Sequence, residues 1–160
     1  MNRISLYVPC FNAAATLEPC LASVAAQSRR PDEVLVIDDG SRDSTVEIAA
    51  GFRARVVSHG YNRGLGTGRN SAIDHASYEW IASLDADCVA EPEWLETLAR
   101  RLEGDDELAG VGGRLVESNH TSLADKWRTK HMPQHWGEAE IHNPFFLFGN
   151  NNLFRKKALA

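Results

Sequence analysis

Two carboxylates one residue apart, Asp85 and Asp87, close the apolar run Trp80-Ile81-Ala82-Ser83-Leu84, with Ala86 between them and Cys88 after them. Residues of a strand alternate faces, so Asp85 and Asp87 share one side of the extended chain at the end of a buried strand, while Ala86 points away. Like charges that close repel. In the low-dielectric mouth of a sheet the repulsion must be relieved by a proton, a basic side chain or a divalent cation, and carboxylate oxygens suit hard ions such as magnesium or manganese. An acidic turn is the plain alternative, since Asp is common at turns. A second acidic pair, Asp38-Asp39, closes the apolar run Glu33-Val34-Leu35-Val36-Ile37 and is followed by Gly40 and Ser41. The third stretch with chemical potential runs from His59 to Asn70 and is the most glycine-dense part of the chain. Bare backbone there can approach a ligand closely, and a helix over residues 70–77 would offer its N-terminal amides to phosphate, with Arg63 and Arg69 as nearby cations. The spacing is neither that of a P-loop nor that of a Rossmann fingerprint, and a glycine-rich surface loop is the ordinary alternative. His131 and His135 have the i, i+4 spacing of a metal pair, but Pro133 between them breaks the helix such a pair needs.

Positioning these groups is the work of alternating elements. Residues 4–8 read as an early central strand closed by Pro9, which opens the loop Pro9-Cys10-Phe11-Asn12. Leu17, Leu21, Val24 and Ala25 recur at helical spacing within residues 14–27, with Asn12 or Thr16 near the start and Pro31 past the end. Ser41, Asp43 or Ser44 can cap a helix carrying Val46, Ile48, Ala49 and Phe52. Residues 55–58 form a third strand. Pro92 suits a first helical position before Trp94, Leu95, Leu98, Ala99 and Leu102, which share one face up to Gly104. Residues 108–116 read as a further strand whose Gly110, Gly112 and Gly113 let something pack on bare backbone. Such alternation predicts an α/β fold, a mostly parallel sheet with helices on both faces, in which ligands sit at the carboxyl ends of strands. Both acidic pairs and the Pro9 loop lie at such ends and converge on one cleft.

Residues 117–160 are less regular. A short helix starts near Leu123, and Phe145-Phe146-Leu147-Phe148 reads as a strand running into the polar turn Gly149-Asn150-Asn151-Asn152. Trp127, Trp136 and the Phe cluster are expected in the core, the commoner place for such rings; a sugar or a lipid is the alternative partner of their faces.

At 160 residues the chain has the size of one domain, and its 43% hydrophobic and 24% charged residues argue against disorder. With 17 Lys and Arg against 22 Asp and Glu the net charge is −5, and no basic stripe points to nucleic acid. Cys10, Cys20 and Cys88 are odd in number and lack zinc spacing, so neither a disulfide framework nor a structural zinc is expected, and a reducing cytoplasm is the simplest location. No stretch approaches a membrane span or a signal h-region. Asn119-His120-Thr121 has the form of a glycosylation acceptor and reads as coincidence without a secretory signal.

Taken together, the motifs resemble those of the family-2 glycosyltransferases, nucleotide-sugar-dependent enzymes of the Rossmann-like GT-A fold. The resemblance rests on Leu6-Tyr7-Val8-Pro9-Cys10-Phe11-Asn12; Val36-Ile37-Asp38-Asp39-Gly40-Ser41-Arg42-Asp43-Ser44-Thr45; Asn62-Arg63-Gly64-Leu65-Gly66-Thr67-Gly68-Arg69-Asn70; Leu84-Asp85-Ala86-Asp87; and Gly149-Asn150-Asn151-Asn152-Leu153-Phe154-Arg155. Phe11 replaces the family's usual Tyr, and Gly68 its usual Ala. The resemblance implies a nucleoside-diphosphate sugar donor, a uridine nucleotide being typical. Pro9, Phe11, Asn12 and Asp39 would hold the base and ribose, with Asp38 supporting that loop. Arg69 would sit near the diphosphate, Asp85 (followed by Ala86) near the ribose or sugar, and Asp87, beside Asp85, would ligate Mn2+ or Mg2+. It further implies inverting transfer to a saccharide or lipid-linked acceptor, as in cell-envelope or exopolysaccharide synthesis. The family's catalytic base lies downstream of the last motif, so it is expected beyond Ala160; Asp125, Glu138 and Glu140 match no such motif. Residues 1–160 are accordingly expected to be one catalytic domain cut on its C-terminal side. Peripheral association with the inner face of the membrane would then come through a missing segment. A sugar-nucleotide-binding module without catalysis and a nucleotidyltransferase are the competing readings.

Overall fold

The computed structural model describes residues 2–118, 121–135 and 137–159; Asn119, His120 and Trp136, and with them the acceptor-like tripeptide, lie outside the described residues. Strands and helices alternate as β1 (Ile4–Cys10), α1 (Leu17–Ala25), β2 (Glu33–Asp38), α2 (Thr45–Gly51), β3 (Arg55–Ser58), α3 (Leu65–His75), β4 (Trp80–Leu84), α4 (Trp94–Glu103), β5 (Gly110–Gly112), α5 (Leu123–His131) and β6 (Asn151–Arg155). The sheet runs β3-β2-β1-β4-β6-β5. β1, β2, β3 and β4 are mutually parallel, and β6 is antiparallel to β4 and β5.

Strand periodicity divides the core. Ile4, Leu6, Val8 and Cys10 of β1 face one side, where they meet Leu17, Leu21 and Val24 of α1 and Leu95, Leu98, Ala99 and Leu102 of α4. Tyr7 faces the other side with Leu35, Ile37 and Ile81, against Ala72 and Ala76. Each fully buried Leu or Ile contributes roughly 1.5–3 kcal/mol relative to exposure, so these two stripes are what hold the helices to the sheet. β1 is flanked by β2 and β4, and its chain turns away between them. Its carboxyl end is therefore a switch point, where loops diverge and leave a crevice.

Several elements differ from the sequence expectation. Pro9 lies inside β1 rather than closing it. β1 pairs with β4 only over Ile4 to Tyr7, so beyond Tyr7 it has a neighbour on one side alone and a proline without an N–H is tolerated. α1 begins at Leu17, after Thr16, rather than near Ala14. α3 begins at Leu65, five residues before the expected start, taking Gly66 and Gly68 into the helix. β4 ends at Leu84, and Asp85 to Cys88 form a turn closed by Cys88 N–H on the Asp85 carbonyl at 3.0 Å. Strand alternation therefore does not put the two acids together; the turn does. β5 is three residues long. Phe145 to Phe148 form no strand; β6 uses the polar residues after them, because Asn151 and Asn152, each 4% exposed, satisfy their amides internally. The Trp94 Nε1 donates to Asn151 Oδ1 at 2.6 Å, Asn151 Nδ2 donates to the Arg114 carbonyl, and Asn152 Nδ2 to the Phe148 carbonyl. Gly110 and Gly113 do accept close neighbours: a Cβ would collide with the Phe154 ring and with the Asn151 side-chain amide, respectively.

Candidate functional site

A cleft of about 280 Å3 opens at the carboxyl ends of β1 and β4. Pro9, Phe11 and Asn12 form one wall and Asp85, Ala86 and Asp87 the other; Ala13, Thr16 and Leu65 complete it. Phe11 is half exposed, so its ring is available for stacking. Asn12 holds a left-handed backbone (φ 51), which Asn tolerates better than most residues. Its Oδ1 accepts from Arg42 N–H at 2.9 Å, and its own N–H donates to Ser41 Oγ at 2.9 Å. Ala13 N–H donates to Thr45 Oγ1, and Ala14 N–H to Asp43 Oδ2. These cross-links fasten the β1 loop to the β2 loop and fix the wall that carries Phe11.

Asp38 and Asp39 do not line the cleft. Asp38 accepts Ser41 N–H at 3.0 Å and Ser58 Oγ–H at 2.9 Å, tying the β2 turn to β3. Asp39 accepts Arg63 N–H at 2.9 Å and Gly64 N–H at 2.8 Å, with His59 Nδ1 at 2.7 Å. Burial works against its ionisation, but these hydrogen bonds outweigh it and hold the carboxyl below the usual range. The other ring nitrogen, Nε2, lies 2.8 Å from Ser71 Oγ. His59, which the sequence reading passed over, thus joins β2, α3 and the glycine-rich segment. Its signal was its place directly between a strand and that segment. Gly40 (φ +82) allows the crossing: a Cβ there would lie 2.5 Å from the Tyr61 backbone.

Arg69 stands behind the Asp85 wall, on a neighbouring apolar cavity of about 170 Å3 shared with Tyr7, Ile73 and Leu147. Its Nη2 is 3.6 Å from Asp85 Oδ1, an ion pair just beyond hydrogen-bond reach. Asp85 Oδ1 and Arg69 Nε are both buried without a hydrogen-bond partner. Burial raises the Asp85 pKa; Arg69 opposes the shift and Asp87 adds to it. Gly149 leaves room for the guanidinium, which a Cβ there would meet at 2.6 Å, and Ser83 Oγ–H donates to the Gly149 carbonyl at 2.7 Å. Asp87 is exposed and accepts a weak hydrogen bond from Cys88 Sγ at 3.7 Å. With Asp85 Oδ1 turned to Arg69, the open Asp87 carboxylate and the half-buried Asp85 beside it still form a pair of acids at the cleft wall, the donor chemistry that suits a hard cation. Among the described residues no group of three or more His, Cys, Asp and Glu could hold a metal, so further oxygens would have to come from a ligand. Burial pushes the Cys10 and Cys88 thiols up to about 12 and Cys20 higher still, which makes all three poor nucleophiles. All three are free thiols. His131 ends α5, and His135 lies beyond its break at Met132. Trp127 and Phe145 are exposed, not core.

The sheet order and the acidic switch-point cleft define an α/β protein of the GT-A glycosyltransferase type. TarS of S. aureus (residues 1–349) superposes with a TM-score of 0.77 at 22% identity, covering 96% of this chain and 47% of that one. The mannosyltransferase PcManGT of Pyrobaculum calidifontis superposes at 0.75 and 21% identity, covering 98% and 45%. The chain belongs to glycosyl transferase family 2, whose family model matches residues 5–160. The poly-beta-1,6-N-acetyl-D-glucosamine synthase of Staphylococcus epidermidis is 31% identical over 133 residues, which is 81% of this chain and 32% of that protein. The chain spans between 32% and 48% of the length of the curated relatives it matches. No described helix is long and apolar enough to cross a membrane.

Proposed function

We propose that the cleft binds a nucleoside-diphosphate sugar together with Mn2+ or Mg2+ and that the protein transfers the sugar to an acceptor hydroxyl. The observation that carries this reading is the facing of Phe11 and Asn12 by Asp85 and Asp87 across one cleft, with Arg69 directly behind. Phe11 offers a stacking face to the base, and Asn12 fixes the loop that presents it. Asp39 reaches the donor through the segment it anchors, since its oxygens already accept three hydrogen bonds. A bound divalent cation would neutralise the charge that develops on the departing diphosphate. Asp87 and Asp85 would hold it, and Arg69 would hold the diphosphate oxygens from the inner side. TarS has been solved with UDP and with UDP-GlcNAc, and PcManGT with GDP-Man and Mn2+. UDP is the donor nucleotide we favour, and a saccharide the acceptor, in line with the polysaccharide synthase among the relatives.

Calorimetric titration with UDP and with GDP, each with manganese or with EDTA, tests the assignment. Metal-dependent binding of one diphosphate supports it, and its absence for both in the folded protein rejects it. A companion variant probes Arg69. In Gly149→Ala the new Cβ would lie 2.6 Å from the guanidinium, so the flexible arginine must swing away from Asp85. Diphosphate affinity is expected to fall about tenfold, the worth of one charge-assisted contact, with little change in melting temperature. Unchanged affinity would show that Arg69 lies outside the donor site.

A further inference from the structure

Helix α5 is inside out. Its buried residue is Asp125, and all its neighbours from Thr121 to Lys130 are exposed. At ~3.6 residues per turn, Lys126, Lys130, Leu123, Trp127 and His131 share the outward face, while Asp125 and Arg128 share the inward one. Polar contacts rather than apolar packing hold the helix down. Ser122 and Asp125 form a capping box, and Arg128 bridges Asp125 at 3.0 Å and Glu117 at 2.9 Å. Leu123 is 84% exposed and Trp127 57%, with the His131 ring 5.1 Å from the Trp127 ring. Phe145, later in the same connection, is 99% exposed.

The charges on that face are unspent. Glu117 and Asp125 pair with Arg128, Glu138 with Arg114, and Glu140 with Arg101. Lys126 and Lys130, one turn apart, have no ion pair among the described residues, although the whole chain carries a net charge of −5. An exposed apolar strip containing a tryptophan and framed by lysines is the pattern of a helix lying at a lipid interface, where the apolar side chains enter the acyl boundary and the lysines meet anionic headgroups. An anionic polysaccharide would also suit the lysines, but Leu123 offers a saccharide no stacking face.

We propose that the outward face of α5, Leu123 and Trp127 framed by Lys126 and Lys130, docks this protein on the surface of an anionic lipid bilayer. The inward face looks the other way, held to the segment before it by Arg128 on Glu117. The docking does not depend on the donor-site reading, and its assay contains no nucleotide.

Co-sedimentation with vesicles tests it. The protein is expected to bind equimolar phosphatidylcholine–phosphatidylglycerol vesicles at millimolar lipid and to release in high salt, with little binding to phosphatidylcholine alone. Lys126→Glu with Lys130→Glu should weaken binding at least roughly 25-fold, from about fivefold per lysine removed from an anionic surface. Trp127→Phe keeps a ring and the fold. Lipids brominated in the acyl chains should quench tryptophan emission in the parent protein and clearly less in this variant. The proposal is overturned by any of four results: no binding to the anionic vesicles, equal binding by the charge-reversed variant, quenching unchanged by Trp127→Phe, or retention on dextran sulfate without vesicle binding.

Discussion

Asp87→Asn is expected to remove manganese-dependent UDP binding, lowering affinity in manganese at least about a hundredfold. Loss of a group that merely orients a metal ligand already costs roughly 10–100-fold. In EDTA the variant and the parent should bind UDP equally weakly. The fold has no stake in this side chain: Asp87 is exposed, and the hydrogen bond it accepts from Cys88 is weak. Its melting temperature should therefore stay within ~2 °C of the parent. Calorimetry in both buffers reads the result, and affinity in manganese within threefold of the parent would remove Asp87 from the metal site. The neighbouring acid adds a pH dependence of definite sign. Burial raises the Asp85 pKa above the ordinary carboxylate value, with Asp87 adding to the shift and Arg69 opposing it. Protons and cation compete for its oxygens, so metal affinity should rise with pH through that raised pKa and fall below it. An affinity flat from pH 4 to 7 would show that Asp85 carries no metal.

The cleft was legible in the sequence because its walls are local: Pro9 to Asn12 and Asp85 to Asp87 are each one short segment at a strand end, and α/β alternation is enough to bring strand ends together. What stayed hidden depends on packing between distant residues. Gly66 and Gly68 each cost about 1 kcal/mol in a helix interior, so propensity alone starts α3 at Asn70. In the fold Gly68 and Ala72 form the buried face of α3 against the sheet, and that packing overrides propensity. His59 acquires its role from Asp39 and Ser71, 20 and 12 residues away, a separation at which no local pattern exists. Asn151 and Asn152 read as a turn until Trp94, Arg114 and Phe148 supply their partners. The aromatic residues of the β5–β6 connection misled in the opposite sense, because hydrophobic character predicts burial only where an element covers it.

Arg155→Ala should be the most destabilising change that leaves the cleft untouched. The guanidinium, 14% exposed, closes the end of α4: Nη2 donates to the carbonyls of Leu102 at 2.9 Å and Asp105 at 3.2 Å, and Nε to that of Leu108 at 2.9 Å. It lies 5.5 Å over the Trp80 ring, so α4, β4 and β6 meet on one side chain. The last carbonyls of a helix have no partners within it and carry its partial negative charge. Alanine would strand three acceptors in a part-buried place and forfeit the stack on Trp80. The Asp106 pair at 3.5 Å adds little, because Asp106 is almost fully exposed. Loss of several charge-assisted bonds to backbone costs about 3 kcal/mol, which for a domain of this size is roughly 6–12 °C in melting temperature. Thermal unfolding followed by circular dichroism measures it, and a shift under 2 °C would mean that water replaces the arginine at no cost. Arg155 is remote from the cleft lining, so UDP affinity well below the melting transition should match the parent. That separates its effect from Asp87→Asn, which should lose the ligand and keep the fold.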